Sequence, residues 1–79
     1  MQDQLFELFS LTLNIDPRHL SDETSPGNTE AWDSLANMLL IAGIEETFDV
    51  ELTTSEIESM KSLADVRRVL IDRGVAAVA

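Results

Sequence analysis

The residue types most able to do chemistry stand together at Trp32-Asp33-Ser34-Leu35, where a long polar segment gives way to a strongly apolar one. Aspartate is a favoured N-cap residue, so the order predicts a helix whose first turn carries the Ser34 hydroxyl. A phosphate joined to that hydroxyl would meet free backbone N–H groups and the positive end of the helix dipole. The four residues therefore indicate an attachment point for a phosphate-linked prosthetic group, on a carrier rather than a catalyst.

Other chemistries lack the residues that they need. The chain has no cysteine and a single histidine, His19, so it offers neither a thiolate metal site nor a credible serine–histidine–aspartate arrangement. No glycine-rich phosphate loop or G-x-S-x-G motif surrounds Ser34. These features argue against a hydrolase or a metalloenzyme, and His19 is expected at the surface.

Size and charge narrow the range of partners. The chain has 79 residues, enough for one small domain, and its net charge is −10. This charge argues against nucleic acid and anionic membranes, and favours basic partner surfaces. The first residues lack the basic region of a signal peptide, and no apolar run reaches membrane-spanning length. We therefore expect a cytoplasmic monomer that does not insert into membranes.

Apolar periodicity predicts an all-α fold, a small four-helix bundle with a long loop after the first helix and a short third helix. The first helix is predicted over roughly residues 2–14, ending near Pro17 because proline disfavours helix in the preceding residue. The loop spans residues 14–33, with a short helical turn near residues 17–20 and Trp32 packed beneath it.

Cap signals predict the later helices. The second helix runs from about Ser34 to Phe48, and Thr53 with Glu56 fits the capping box of a third helix that ends near Met60. The last helix is predicted from its cap, its inward apolar residues and its terminal glycine, which are Ser62, Leu63, Val66, Val69, Leu70 and Gly74. A single domain is expected over residues 1–74, with a disordered tail over residues 75–79.

The predicted second helix has more apolar residues than one buried stripe needs. The stripe facing the core is expected to comprise Leu40, Ile41, Ile44 and Phe48. A surplus apolar set falls on another face beside Ser34, and comprises Leu35, Met38, Leu39 and Ala42. This surplus face is a candidate docking surface for a partner. The alternative is a central helix that is buried on more than one side.

Acidic residues crowd the far end of the same helix. Glu45 and Glu46 are assigned to the partner surface, where a basic partner would grip them while its apolar contacts meet the Ser34 end. The plainer alternative is a solvated charged face, which also applies to the three arginines of the last helix, Arg67, Arg68 and Arg73.

Asp33-Ser34-Leu35, at the start of an apolar helix and after a long loop, resembles the acyl carrier protein family. The likeness extends along residues 1–73, through Glu45-Glu46-x-Phe48, Asp49-Val50-Glu51-Leu52 and the segment from Ser62 to Leu70. The three-residue motif alone is common, because aspartate and serine are ordinary helix starters. Its combination with the acidic segment in a short acidic chain is more specific.

The resemblance implies that Ser34 carries 4′-phosphopantetheine, which a phosphopantetheinyl transferase adds from coenzyme A. The terminal thiol would hold an acyl or aminoacyl group as a thioester, received from a loading enzyme and passed to a synthase or transferase. It also implies that Asp33 caps the helix and helps to position the serine and the metal of the transferase. Leu35 and Met38 would line the recognition face, and the chain itself would not be an enzyme.

The chain also departs from the family pattern. Carriers of fatty acid synthesis typically have acidic residues where this chain has Ala36 and Leu39, and a small residue where it has Trp32. These differences favour a specialised carrier in polyketide, peptide, modified-lipid or aminoacyl chemistry over housekeeping fatty acid synthesis. A helical docking module without any modification is the alternative from another class, and a small hydrolase is a remote third.

Overall fold

The computed structural model describes residues 4–75, and within them the chain forms four α-helices and one 3₁₀ turn but no strand. The helices are α1 (Gln4–Leu13), α2 (Ser34–Phe48), α3 (Thr54–Ser59) and α4 (Leu63–Asp72), and the 3₁₀ turn is Pro17–His19. This confirms the all-α fold with a long α1–α2 loop (residues 14–33) and a short third helix. The predicted bounds of the second helix are confirmed, and residues 2 and 3 of the predicted first helix lie outside the described residues.

The starts of α2, α3 and α4 are fixed by side chains, as the sequence predicts. Asp33, Thr53 and Ser62 each accept a hydrogen bond from the backbone N–H three residues later, at 2.9 to 3.1 Å. In α3 the Glu56 carboxylate also accepts from the N–H of Thr53 at 2.9 Å, which completes the capping box. Local sequence is therefore sufficient to place these three helix starts.

The ends of α1, α2 and α4 share one arrangement. In each, a residue with positive φ precedes an apolar residue whose N–H donates to the carbonyl five residues earlier. The left-handed residues are Asn14, Asp49 and Gly74, and the apolar residues that follow them are Ile15, Val50 and Val75. All three apolar residues pack against the core. The chain thus turns at Asn14, and Pro17 begins a separate 3₁₀ turn rather than ending α1.

The core lies between the helices and beneath the α1–α2 loop. Its buried apolar residues are Leu5, Phe9, Leu13, Leu20, Trp32, Ala36, Leu40, Ile44, Met60, Leu63, Val66, Val69 and Leu70. Phe9 and Trp32 meet edge to face, with 5.1 Å between ring centroids. The predicted burial of Trp32 and of the inward residues of the last helix is confirmed, and in α2 Ile41 and Phe48 are half-buried beside the fully buried Leu40 and Ile44.

Helices α1 and α2 pack closely at Gly43. A Cβ added at this position would lie 2.9 Å from Cδ1 of Leu8, closer than two carbon atoms pack. The bare backbone of α2 therefore lets the Leu8 side chain rest directly on it. This contact holds α2 close against α1.

The α1–α2 loop is bonded to the start of α4. The N–H groups of Leu63 and Ala64 belong to the first turn of α4 and have no acceptor within that helix. They donate instead to the carbonyl oxygens of Thr24, at 2.8 Å, and Asp22, at 3.0 Å. The Thr24 side chain is buried and accepts from the N–H of Ser21 at 2.9 Å. These bonds give the polar loop one defined path across the molecule.

Arg67 adds a side-chain connection between three elements. Its guanidinium lies 3.5 Å from the Asp22 carboxylate and 5.6 Å from the centre of the Phe6 ring, so it joins α4 to the loop and to α1. Arg68 of α4 and Arg73, which directly follows α4, also have acidic neighbours, in the pairs Arg68–Asp65 and Arg73–Glu56. All three arginines therefore contribute to internal contacts, which the prediction of a solvated face did not include.

The described part of the chain has a radius of gyration of 11.4 Å, close to the roughly 11 Å expected for one compact domain of this length. Val75, assigned by the sequence to the tail, packs against the core, and residues 76–79 of the predicted tail lie outside the described residues. No helix within residues 4–75 is long and apolar enough to cross a membrane.

Candidate functional site

Ser34 is the first residue of α2 and is exposed. Asp33 directly before it is extended, with φ −97° and ψ −172°, and its carboxylate accepts from the N–H of Ala36. The N–H groups of Ser34 and Leu35 precede the helical bonding pattern and have no acceptor among residues 4–75. A hydroxyl thus stands beside two free amide donors at the positive end of a 15-residue helix.

Trp32, two residues before Ser34, and Asn37, three residues after it, are joined by a hydrogen bond. The indole N–H of Trp32 donates to Oδ1 of Asn37 at 3.0 Å, and Asn37 lies one turn after Ser34 on the same side of α2. Trp32 is only 3% exposed and its ring contacts Phe9. The chain therefore enters α2 along a path fixed by the core, while the serine at the junction stays open to solvent.

An open groove of about 300 Å³ lies against Ser34. We call it the Ser34 groove, and its lining residues are Pro26, Trp32, Asp33, Ser34 and Asn37. One wall comes from the α1–α2 loop and the other from the first turn of α2. Pro26 and Asn37 are the two lining residues that sequence reasoning missed. The signal available for Asn37 was Trp32, since a buried indole N–H needs an acceptor nearby.

These residues fit a phosphodiester-linked group at Ser34. The hydroxyl makes no hydrogen bond to the described residues, so it is available to a transferase, and the adjacent groove leaves room for a flexible chain. No lysine or arginine is among the residues that line the Ser34 groove. A phosphate here would be stabilised by the free amide donors and the helix dipole rather than by a cationic side chain.

An apolar surface begins directly after Ser34. We call it the outward face, and its members Leu35, Met38, Leu39 and Ala42 are all exposed. The three large side chains keep between 53% and 68% of their surface in solvent. Because no charged residue occurs between Asp33 and Glu45, the outward face is uncharged along about three helical turns.

Two residues are more buried than the sequence alone suggested. The comparison with fatty acid synthesis carriers suggested that Ala36 adds an apolar side chain to the recognition surface. Ala36 is instead 8% exposed and belongs to the core. Glu45 is half-buried, and its carboxylate accepts from the N–H of Leu52 at 2.9 Å, which fastens the segment after α2. Glu46 is exposed on the far end of α2. Of the predicted acidic pair, only Glu46 is a solvent-facing side chain.

The other candidate groups lie away from this junction. His19 is exposed in the 3₁₀ turn, and no cluster of three or more metal-ligating side chains occurs within residues 4–75. The Arg73 guanidinium, with the N–H of Thr53, lowers the pKa of Glu56 to about 2. This strongly shifted carboxyl joins α3 to the end of α4, so its role is structural rather than part of the Ser34 site.

The amino-acid sequence is similar to that of one kind of known protein. No protein-family model matches the chain. The chain is similar to an acyl carrier protein of Syntrophobacter fumaroxidans (strain DSM 10017 / MPOB), with 27% identity over 66 residues that cover 84% of this chain and 82% of that protein. The likeness spans most of both chains rather than the surroundings of Ser34 alone, and it supports a relationship to acyl carrier proteins.

Proposed function

We propose that this chain is an acyl carrier that bears 4′-phosphopantetheine on Ser34 and has no catalytic activity of its own. The observation that carries the proposal is the exposed, unbonded Ser34 hydroxyl at the first position of a long helix, two residues after the buried Trp32. The likeness to an acyl carrier protein over most of the chain supports it.

Each residue of the site then has a definite task. When bound, the prosthetic group supplies a terminal thiol that carries an acyl or aminoacyl group as a thioester, which a chain without cysteine cannot supply itself. Asp33 holds the helix start in register through its bond to Ala36, so the serine is presented in one position to a transferase. The free amide donors of Ser34 and Leu35 stabilise the phosphate charge.

The outward face is the proposed contact surface for partner enzymes, with Glu46 at its far end and Glu45 beneath. The partners are a phosphopantetheinyl transferase, a loading enzyme and a downstream synthase or transferase. An exposed Leu39, where fatty acid synthesis carriers have an acidic residue, favours a specialised polyketide, peptide, modified-lipid or aminoacyl pathway. Apolar contact near Ser34 would then select partners, and the overall negative charge would speed their encounter.

Intact-protein mass spectrometry tests the modification. After incubation with coenzyme A and a broad-range phosphopantetheinyl transferase, the wild-type chain should gain the mass of one arm. Ser34→Ala should remain at the polypeptide mass while keeping its helical circular dichroism. Ser55→Ala is the matched control, since Ser55 is an exposed serine in the first turn of α3, and it should load like wild type. A wild-type chain that stays unloaded, or a loaded Ser34→Ala, would contradict the proposal.

A second candidate is an unmodified docking module, and the exposed apolar outward face favours it because that surface needs no prosthetic group. The two candidates differ in the part that Ser34 plays. A docking module would bind its partner equally well as Ser34→Ala, whereas transfer of cargo by a carrier would stop.

A further inference from the structure

We propose that the Ser34 groove seats the base of the phosphopantetheine arm, with Asn37 as its hydrogen-bond donor and Pro26 as its apolar wall. The proposal rests on the proposed modification of Ser34 and assigns a binding site to residues outside the attachment point. It concerns the part of the arm next to the phosphate, which carries two geminal methyl groups, a hydroxyl and the first amide.

The orientation of the Asn37 amide carries the first step. An indole N–H is only a donor, so the amide must turn its oxygen toward Trp32, as the 3.0 Å bond shows. The Nδ2 group then points away from the indole, and its two N–H donors have no acceptor among residues 4–75. Since Asn37 lines the groove, these donors are available to the hydroxyl or amide carbonyl of an arm lying there.

The composition of the groove matches the remaining chemistry. Pro26 offers a rigid apolar ring from the α1–α2 loop, and the largely buried Trp32 also lines the groove. Geminal methyl groups can pack against the exposed Pro26 ring, next to Trp32, while the neighbouring polar atoms face Asn37. The site is shallow, but a group tethered at Ser34 is at millimolar effective concentration, so weak contacts are sufficient to occupy it.

The helical positions give the arm a direction. At about 100° per residue, Asn37 lies roughly 60° from Ser34 around the α2 axis on one side, whereas Leu35 and Ala42 lie roughly 80° to 100° away on the other. Ser34 therefore separates the groove from the outward face. An arm that rests in the groove leaves the outward face uncovered for a partner.

Nuclear magnetic resonance of the loaded chain tests the proposal. A chain labelled with ¹³C and ¹⁵N and loaded from unlabelled coenzyme A allows Overhauser contacts between arm and protein to be selected. The chain has one tryptophan, so its indole N–H gives a single side-chain signal. We expect contacts from the geminal methyl groups to Pro26 and Trp32, and a shift of the indole signal between the unloaded and loaded forms.

Variants sharpen the outcome. Asn37→Asp keeps an acceptor for Trp32 but removes the two donors, and it should lose the arm contacts and the indole shift. Pro26→Gly removes the loop wall without altering α2 and should weaken the same contacts. Leu11→Gln changes an exposed residue of α1, outside both the groove and the outward face, and should leave them intact.

Failure of this proposal is distinguishable from failure of the proposed function. A chain that never gains the mass of the arm overturns both. A loaded chain whose arm contacts only Leu35 and Leu39, or no side chain beyond Ser34, overturns the groove and leaves the carrier function standing.

Discussion

The α1–α2 loop and the outward face of α2 reverse the usual relation between polarity and packing. The loop is rich in polar residues, yet its carbonyl groups bond to the start of α4, Thr24 is buried, and Trp32 anchors its end in the core. The outward face is apolar, yet its large side chains keep more than half of their surface in solvent. Ser34 lies where these two regions meet.

The difference shows what each region can contribute. The loop can be long and still ordered because its backbone groups find partners within the domain. The outward face projects into solvent because the buried residues Leu40 and Ile44 occupy the opposite side of α2 against the core. Ser34 therefore lies between an ordered loop and an exposed apolar surface. This position suits a residue that other proteins must reach.

The largest expected change in stability comes from a substitution on the buried side of α2, compared with one on its exposed side. Leu40→Ala removes a fully buried side chain and should lower the free energy of unfolding by about 2 to 5 kcal/mol. Leu39→Ala, one residue earlier and more than half exposed, should change it by less than about 0.5 kcal/mol. Urea denaturation followed by circular dichroism measures both. A loss above about 2 kcal/mol for Leu39→Ala would show that the outward face is packed.

Disturbing the loop should have a smaller effect. Thr24→Val keeps the volume of a buried side chain but removes the acceptor of the Ser21 N–H, which should lower the free energy of unfolding by about 1 kcal/mol. Thr47→Val is the control, since Thr47 is an exposed threonine of α2. Equal denaturation midpoints for the two variants would mean that the loop bonds contribute little to stability.

The ion pair between Glu56 and Arg73 joins α3 to the end of α4. Its contribution to the free energy of unfolding should depend on pH. The pKa of Glu56 is lowered from 4.5 to about 2 in the folded chain, so the charged form favours folding. Its stabilisation should be complete above pH 4.5 and be lost as the pH falls toward 2. Glutamine can keep the capping-box bond to Thr53, so Glu56→Gln removes mainly the charge.

Urea denaturation across this pH range should show wild type and Glu56→Gln differing most near neutral pH and converging toward pH 2. The exposed neighbour Glu58 provides the control variant, Glu58→Gln. A difference between wild type and Glu56→Gln that stays constant from pH 7 to pH 2 would contradict the assigned role of the Arg73 pair.

The smallest effect on stability, and the most specific effect on function, is expected for Leu39→Glu. It should change the free energy of unfolding by less than about 0.5 kcal/mol, because Leu39 is mostly exposed. It should also raise the rate of cargo exchange with fatty acid synthesis enzymes, measured on the loaded chain. Leu11→Glu places the same charge on an exposed leucine of α1 and should leave exchange unaltered. An equal response from both variants would remove the outward face as the selecting surface.

Local signals in the sequence were sufficient for much of the fold. The caps Asp33, Thr53 and Ser62 each act within three residues of themselves, so the starts of three helices could be predicted. The left-handed ends at Asn14 and Asp49 were not predicted, because neither is the glycine that usually marks such a turn.

Parts of the site depended on contacts that no local pattern encodes. Glu45 looked like a surface charge, but its role is set by the N–H of Leu52, seven residues away across a turn. Ala36 belongs to the core because its side of α2 faces inward. The sequence of α2 has apolar residues on several sides, so it did not show which side is buried. The Ser34 groove needs Pro26 from the loop, and only the path of the loop brings that ring beside the serine.

The way α4 closes has a consequence for anyone who fuses or shortens this domain. The N–H of Val75 bonds to the carbonyl of Leu70 and its side chain packs against the core, just as Ile15 and Val50 close α1 and α2. A chain that ends at Gly74 would lack this hydrogen bond and this apolar contact, so the last turn of α4 should fray. A linker to another protein is therefore best joined after Val75, so that the hydrogen bond and the apolar contact that end α4 are kept.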